Sequence, residues 1–315
     1  MSKVAIIGSG FIGRAWAISF SRAGHDIALW DKDDGAAEKA LSYIEGVLPD
    51  LEANDLLNGH SPSAVRGRMR AATTLEDAMT GAEYVQENTP EVVDIKKEMF
   101  ARLDALAGPD TILASSTSAI LPSKFTEELK GRHRCLVVHP INPPYLIPAA
   151  EVVPAPWTDK AVVARTAEFL RGAGHAPIVM KQELDGFVMN RMQGALLEEA
   201  FRLVDGGYAS IEDVDIGIRE GLALRWSFMG PFETIDLNAP GGVRDYCQRY
   251  EQIYIRLQPS MVKRADWNGP VLDTIERDRS KALPREKLQE RQAWRDRRLM
   301  ALAAHKRRAD KDIGK

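Results

Sequence analysis

The chain has 315 residues, more than a typical single domain, so two domains are the default expectation. With 42 basic and 45 acidic residues the formal net charge is −3, which leaves no electrostatic footprint for nucleic acid or for an anionic membrane surface. Cys135 and Cys247 lie too far apart for a C-x-x-C pair, no apolar run approaches membrane-spanning length, and the N-terminus enters an apolar segment without a charged leader. A cytoplasmic protein in a reducing compartment is therefore expected, with both thiols as buried packing residues.

The first predicted element is a buried parallel strand over residues 4–7, followed at once by Gly8-Ser9-Gly10-Phe11-Ile12-Gly13 and a helix over 14–23. This is the G-x-G-x-x-G arrangement of a dinucleotide site. Gly8 permits a tight turn, Gly10 lets the backbone approach a pyrophosphate, and Gly13 lets helix and strand pack closely. The phosphates would rest on the helix N-terminus, where free N–H groups and the dipole favour an anion. A second strand over 27–30 ends at Asp31, about twenty residues past the glycines, the spacing of an acid that holds the adenine ribose. A carboxylate there repels a 2′-phosphate and selects NAD over NADP. The alternative is a glycine-rich turn beside a surface acid.

Further strands are predicted over 84–86, 111–114, 135–138, 151–154 and 177–180, alternating with amphipathic segments as in a doubly wound α/β sheet. The polar span 32–80 reads as two helices around the break at 58–62, either an arm over the cleft or a surface hairpin. From Asp185 the strand signals fade. Over 187–206 Val188, Met192, Ala195, Leu196, Ala200 and Leu203 recur at helical spacing and make an apolar face that needs a partner. The tail from Arg285 is charged, with Trp294, Leu299 and Met300 as its apolar anchors. The organisation expected is a Rossmann-type NAD-binding domain over 1–184 and an all-helical domain over 185–315 for substrate binding and homodimerisation.

His139 is the best-placed proton acceptor, because it follows an apolar strand at the carboxyl edge where α/β ligand crevices form. Pro140-Ile141-Asn142-Pro143-Pro144 then makes a stiff turn, and Glu151 on the next strand can reach back to the second imidazole nitrogen. A structural histidine capping a turn is the alternative. Ser115-Ser116-Thr117-Ser118 and Asn190 each offer a hydrogen bond to a substrate oxygen, or a helix cap and a tether.

Taken together, several motifs resemble the 3-hydroxyacyl-CoA dehydrogenase superfamily, and most closely its lambda-crystallin or L-gulonate 3-dehydrogenase branch. The carriers are Gly8 to Arg14, Gln86-Glu87 with Pro90-Glu91, Ser115 to Ser118 with Pro122-Ser123-Lys124, and His139 to Tyr145. In the second half they are Gly186 to Arg191, Glu220 to Trp226, Gly230 to Thr234 and Gln292 to Asp296. The resemblance implies oxidation of a 3-hydroxy acid, with His139 as base, Glu151 as its orienting partner, and Ser118 and Asn190 on the reacting oxygen. It places Phe11, Ile12 and Asp31 on the adenosine and pyrophosphate half of NAD, and Glu91 and Lys96 at the nicotinamide half. Asn142 joins the substrate side. A free acid also needs a cation, and Arg225 or Arg191 suits a carboxylate. No metal is implied. Related readings are a 3-hydroxybutyryl-CoA or carnitine dehydrogenase, and an NAD-binding structural protein of the crystallin kind.

Overall fold

The computed structural model describes residues 1–314 and divides into two compact units, Met1–Met189 with Trp294–His305, and Asn190–Ala293 with 306–314. The first unit runs β1 (Lys3–Ile7), α1 (Phe11–Arg22), β2 (Asp26–Trp30), α2 (Ala36–Ala53), α3 (Pro62–Arg66), β3 (Met69–Ala71), α4 (Leu75–Met79) and β4 (Tyr84–Glu87). It continues through α5 (Val93–Leu106), β5 (Ile112–Ser115), α6 (Ser123–Thr126), β6 (Cys135–Pro140), β7 (Ala149–Pro154), α7 (Lys160–Gly172) and β8 (Ala176–Val179).

The eight strands form one sheet in the order β3-β2-β1-β4-β5-β6-β7-β8. All neighbours are parallel except β6 and β7. The central strands read as unbroken apolar runs because helices cover both faces, and their side chains alternate between two cores. Ile6, Leu29 and Val138 point to the face covered by Trp16, Phe20 and Leu48, whereas Ile7, Ala28 and Val137 join Phe100 and Phe125 on the other. The direction of strand addition reverses between β1 and β4, and in open α/β sheets that reversal opens a ligand crevice at the carboxyl ends of the strands.

Two expectations change here. The span 32–80 is not an arm: Ala37, Ala40, Leu41, Ile44, Leu48 and Leu51 bury one face of α2 in the first core, and the chain then adds β3 to the sheet edge. The three-residue strand was too short to register as a period. Cys247 is exposed, not packed inside, because it falls on an outward position of a helix in the second unit; Cys135 is buried.

The remaining helices are α8 (Met189–Asp205), α9 (Ile211–Ile216), α10 (Ala223–Trp226), α11 (Pro231–Leu237), α12 (Gly242–Met261), α13 (Pro270–Ala282) and α14 (Leu288–Asp312). Ser210 caps α9 reciprocally with Asp213, and a π-turn over Gly217–Leu222 leads into α10. The stretch Trp294–His305 of α14 belongs to the first unit, where Met300 is 3% exposed in the core, with Leu299 and Ala303 against it. The tail is thus part charged surface and part core. No helix among the described residues is long and apolar enough to cross a membrane.

Candidate functional site

At the sheet reversal the glycine turn is dictated by space. Gly8 has φ +88°, and a Cβ there would lie 2.8 Å from the Asn88 carbonyl oxygen at the end of β4. A Cβ on Gly13 would meet the Gly8 carbonyl oxygen at 1.9 Å, so any side chain would push α1 off β1. At Gly10, by contrast, a Cβ would meet nothing within 4 Å. The first turn of α1 contains no acid, and Phe11 stands exposed on it while Ile12 packs against the core. The parallel register pairs Ile7 with Trp30, which brings the residues just past both strand ends together. Ser9 uses this proximity: its N–H and its hydroxyl donate to Asp31 Oδ2 at 2.6 and 2.8 Å, and Asp33 N–H donates to Oδ1 at 3.2 Å. A close-packed turn, an acid-free helix end and an oriented carboxylate on the neighbouring strand fit a dinucleotide with a free ribose hydroxyl.

Across the reversal, the ends of β4 and β5 are locked by side chains. Glu87 is fully buried and takes Lys96 Nζ at 3.1 Å on both oxygens, Ser115 Oγ at 2.5 Å, and the Thr89 N–H and hydroxyl. Lys96 is only 1% exposed and also donates to the Thr89 carbonyl, so its ammonium turns inward and supports this edge from beneath. Glu91 reaches the loop after β5. Its Oε1 accepts from the Thr117 hydroxyl, from Ser118 N–H at 3.1 Å and from Ala119 N–H at 3.0 Å, anchoring the backbone on either side of the exposed Ser118 side chain. Below it, Ser116 Oγ accepts from Trp16 Nε1 and Gln86 Nε2 and donates to Asn88 Oδ1, while Gln86 Nε2 also donates to Val138 O. The glycine-turn helix, β4, β5 and the residue before His139 thus share one polar network.

His139 and Glu151 lie directly opposite each other in the antiparallel β6–β7 ladder. Their side chains meet at 2.6 Å, His139 Nδ1 to Glu151 Oε2, with Glu151 fully buried and His139 6% exposed. The other carboxylate oxygen accepts from Val188 N–H at 2.6 Å and Met189 N–H at 2.9 Å. Those donors are delivered by a strained turn: Gly186 has φ +77°, and Phe187, buried 5.6 Å from the imidazole, has φ +50°. The left-handed region costs a residue with a side chain about 1–2 kcal/mol, which the surrounding packing must offset. Glu151 acts only as acceptor, so the proton of the neutral imidazole resides on Nδ1 and the lone pair on Nε2. This arrangement can take a proton from a substrate hydroxyl and spread the resulting charge onto Glu151.

Asn142 is exposed in the turn after β6, at a cis peptide bond to Pro143. Asn190 is the second residue of α8, Arg191 follows it, and Arg225 lies half-buried on α10; all three belong to the second unit. The structure therefore brings Gly8, Gly13 and Asp31 together at one strand pair, Glu91 and Ser118 at the next, and His139 with Glu151 at a third. Sequence reasoning missed Ser9, and it named Gln86, Glu87 and Thr117 in motifs without the supporting role they have here. Strand adjacency, which no spacing along the chain reveals, is what assigns them.

Similarity to known proteins agrees with this geometry. The family model described as 3-hydroxyacyl-CoA dehydrogenase, NAD binding domain, matches residues 3–183, and that of the 3-hydroxyacyl-CoA dehydrogenase C-terminal domain matches 186–270. Lambda-crystallin of Oryctolagus cuniculus is 38% identical over 307 residues, 96% of each chain. An L-carnitine dehydrogenase of Streptomyces griseus is 40% identical over 235 residues, covering 75% of this chain and 69% of the relative. Among solved structures, an NAD+-dependent dismutase described as 5-formyl-3-hydroxy-2-methylpyridine 4-carboxylic acid 5-dehydrogenase superposes with a TM-score of 0.82 at 29% identity, covering 96% of this chain and 97% of its own.

Proposed function

This chain belongs to the 3-hydroxyacyl-CoA dehydrogenase family and is an NAD-dependent dehydrogenase acting on a CH–OH group, and on that premise we propose that it oxidises the 3-hydroxyl of a small free hydroxy acid, with L-gulonate as the leading substrate. The observation that carries this reading is the extent of the likeness. The family's C-terminal domain model stops at residue 270, whereas the match to lambda-crystallin covers 96% of the chain and so takes in most of the region beyond it. The likeness to L-carnitine dehydrogenases points the same way, since carnitine is also a free 3-hydroxy carboxylate.

When bound, NAD supplies the two-electron acceptor for the carbinol carbon. The rest falls to the chain. His139 Nε2 takes the hydroxyl proton, and Glu151 holds the ring and stabilises the imidazolium. Ser118 and Asn190 are assigned the hydrogen bonds to the reacting oxygen, Asn142 a contact on the substrate, and Arg225 the carboxylate. Glu91 keeps the Ser118 loop in place.

An absorbance screen of NADH formation with L-gulonate, L-carnitine, 3-hydroxybutyrate and 3-hydroxybutyryl-CoA tests the reading. The highest kcat/KM is expected with L-gulonate, and a preference for the thioester would overturn it. Arg225→Met is expected to raise KM for the acid much more than for its methyl ester; equal changes would remove Arg225 from the site. The second unit is also assigned a homodimer contact, because Met192, Phe228 and Phe232 are 60%, 74% and 79% exposed in the single chain. Sedimentation as a monomer at working concentration would exclude that contact.

A further inference from the structure

We infer that Arg14 is a further cofactor-binding residue, its guanidinium taking a phosphate oxygen of the dinucleotide. The inference rests on NAD binding by this family and not on the substrate proposed above. Arg14 is the fourth residue of α1. Helical Cα–Cβ bonds tilt toward the N-terminus, so its side chain lies back over the first turn, where the phosphate-facing N–H groups are. The stacking agrees, for its guanidinium carbon is 4.5 Å from the centroid of the Phe11 ring.

The guanidinium is also held in place. Tyr43 of α2 packs on it at 3.4 Å from ring centroid to guanidinium carbon. Stacking occupies the faces of a guanidinium and leaves its N–H edge unused. Among the described residues that edge finds neither a carbonyl nor a carboxylate at hydrogen-bond or salt-bridge distance. Most other arginines of the first unit differ, although the exposed Arg102 also stacks on a ring, Trp30, without a hydrogen bond or ion pair. Arg22 donates to Leu56 O, Arg66 to Glu45, Arg68 to Gly24 O, Arg70 to Asp77 and Arg134 to Asp104. Unlike these five, Arg14 leaves its donors unused, and it does so beside the first turn of α1.

Charge balance identifies that something as a phosphate. A dinucleotide brings two negative charges to the glycine turn, and a helix dipole supplies only about half a positive charge. Asp31 and Glu91 add negative charge on either side of the sheet reversal, and the Lys96 ammonium is neutralised by Glu87. Arg14 provides the missing cation, on the helix whose first turn faces the pyrophosphate. A carboxylate of the hydroxy acid is the competing anion.

Calorimetric titration of the full chain with NAD, ADP-ribose and adenosine separates these cases without any turnover. Arg14→Gln is expected to weaken NAD and ADP-ribose by about ten- to a hundredfold, the effect of losing a charge-assisted hydrogen bond, while adenosine, which has no phosphate, binds as before. Arg14→Lys is expected to recover part of the loss. ADP-ribose affinity equal to wild type in Arg14→Gln overturns the assignment, including when KM for the hydroxy acid rises instead. Equal weakening of adenosine also overturns it, since that result marks a collapse of the Phe11–Arg14–Tyr43 stack. None of these outcomes depends on which hydroxy acid is the substrate.

Discussion

Replacing Glu151 by glutamine changes little in volume and a great deal in charge. The amide oxygen can still accept from Val188 and Met189 N–H, which keeps the strained Gly186-Phe187 turn in place. Its NH2 group then faces His139 Nδ1, which must accept, so the ring proton moves to Nε2 and the base is lost. With N and O at 2.6 Å the two charge centres of an imidazolium–carboxylate pair lie about 4 Å apart, and at an effective dielectric near 20 their attraction is about 4 kcal/mol. Each factor of ten in rate is about 1.36 kcal/mol, so kcat is expected to fall by about three orders of magnitude. His139→Gln, which removes the base itself, should fall in the same range. The assay is steady-state NADH absorbance at saturating NAD, with NAD affinity and the thermal midpoint measured in parallel. A Glu151→Gln enzyme with near wild-type kcat would refute the reasoning, because the pair would then be only a packing contact.

Asp31→Ala is expected to weaken NAD and to relax discrimination against NADP, since it removes both the ribose acceptor and the charge that repels a 2′-phosphate; retention of strict NAD preference in kcat/KM would count against that role. A second expectation concerns pH. Burial, and then the charge of Arg22, lower the His175 imidazole from 6.5 to about 4, against the opposing hydrogen bond to Pro148 O. The unfolded ring takes a proton below pH 6.5 and the folded ring resists until about 4, so stability is full above 6.5, declines through that window and levels off below it. The decline amounts to about 3 kcal/mol. His175→Phe keeps the ring against Trp16 and should flatten the slope in urea titrations between those pH values; a slope like wild type would show that other groups cause it.

What could be read in the sequence was what is local. The strand just before Gly8, the helix after the glycine turn and the strand just before Asp31 each carry their own signal in apolar runs and glycine spacing, and the structure keeps all three. His139 and Glu151 were legible as strand-end residues, but their 2.6 Å meeting depends on the antiparallel register of β6 and β7, a property of the pair and not of either segment. Ser9 illustrates the limit. Nothing between residues 9 and 31 signals that one orients the other, and only parallel pairing of β1 with β2 puts them within a hydrogen bond. Lys96 shows the reverse case: a basic residue suited to a cofactor edge is consumed by Glu87, nine positions earlier and on another element. The β3 strand escaped because a three-residue partner on a sheet edge has too few side chains to show alternation.

The return of Trp294–His305 to the first unit links the stability of the dinucleotide site to distant chain. Met300 fills a core assembled from residues that precede the second unit entirely, so the whole of Asn190–Ala293 is a loop that must close before the first core is complete. For a disordered loop of roughly a hundred residues that closure costs about 4 kcal/mol in chain entropy. Substitutions that melt the helical unit are therefore expected to withdraw stabilisation from the first unit without touching it.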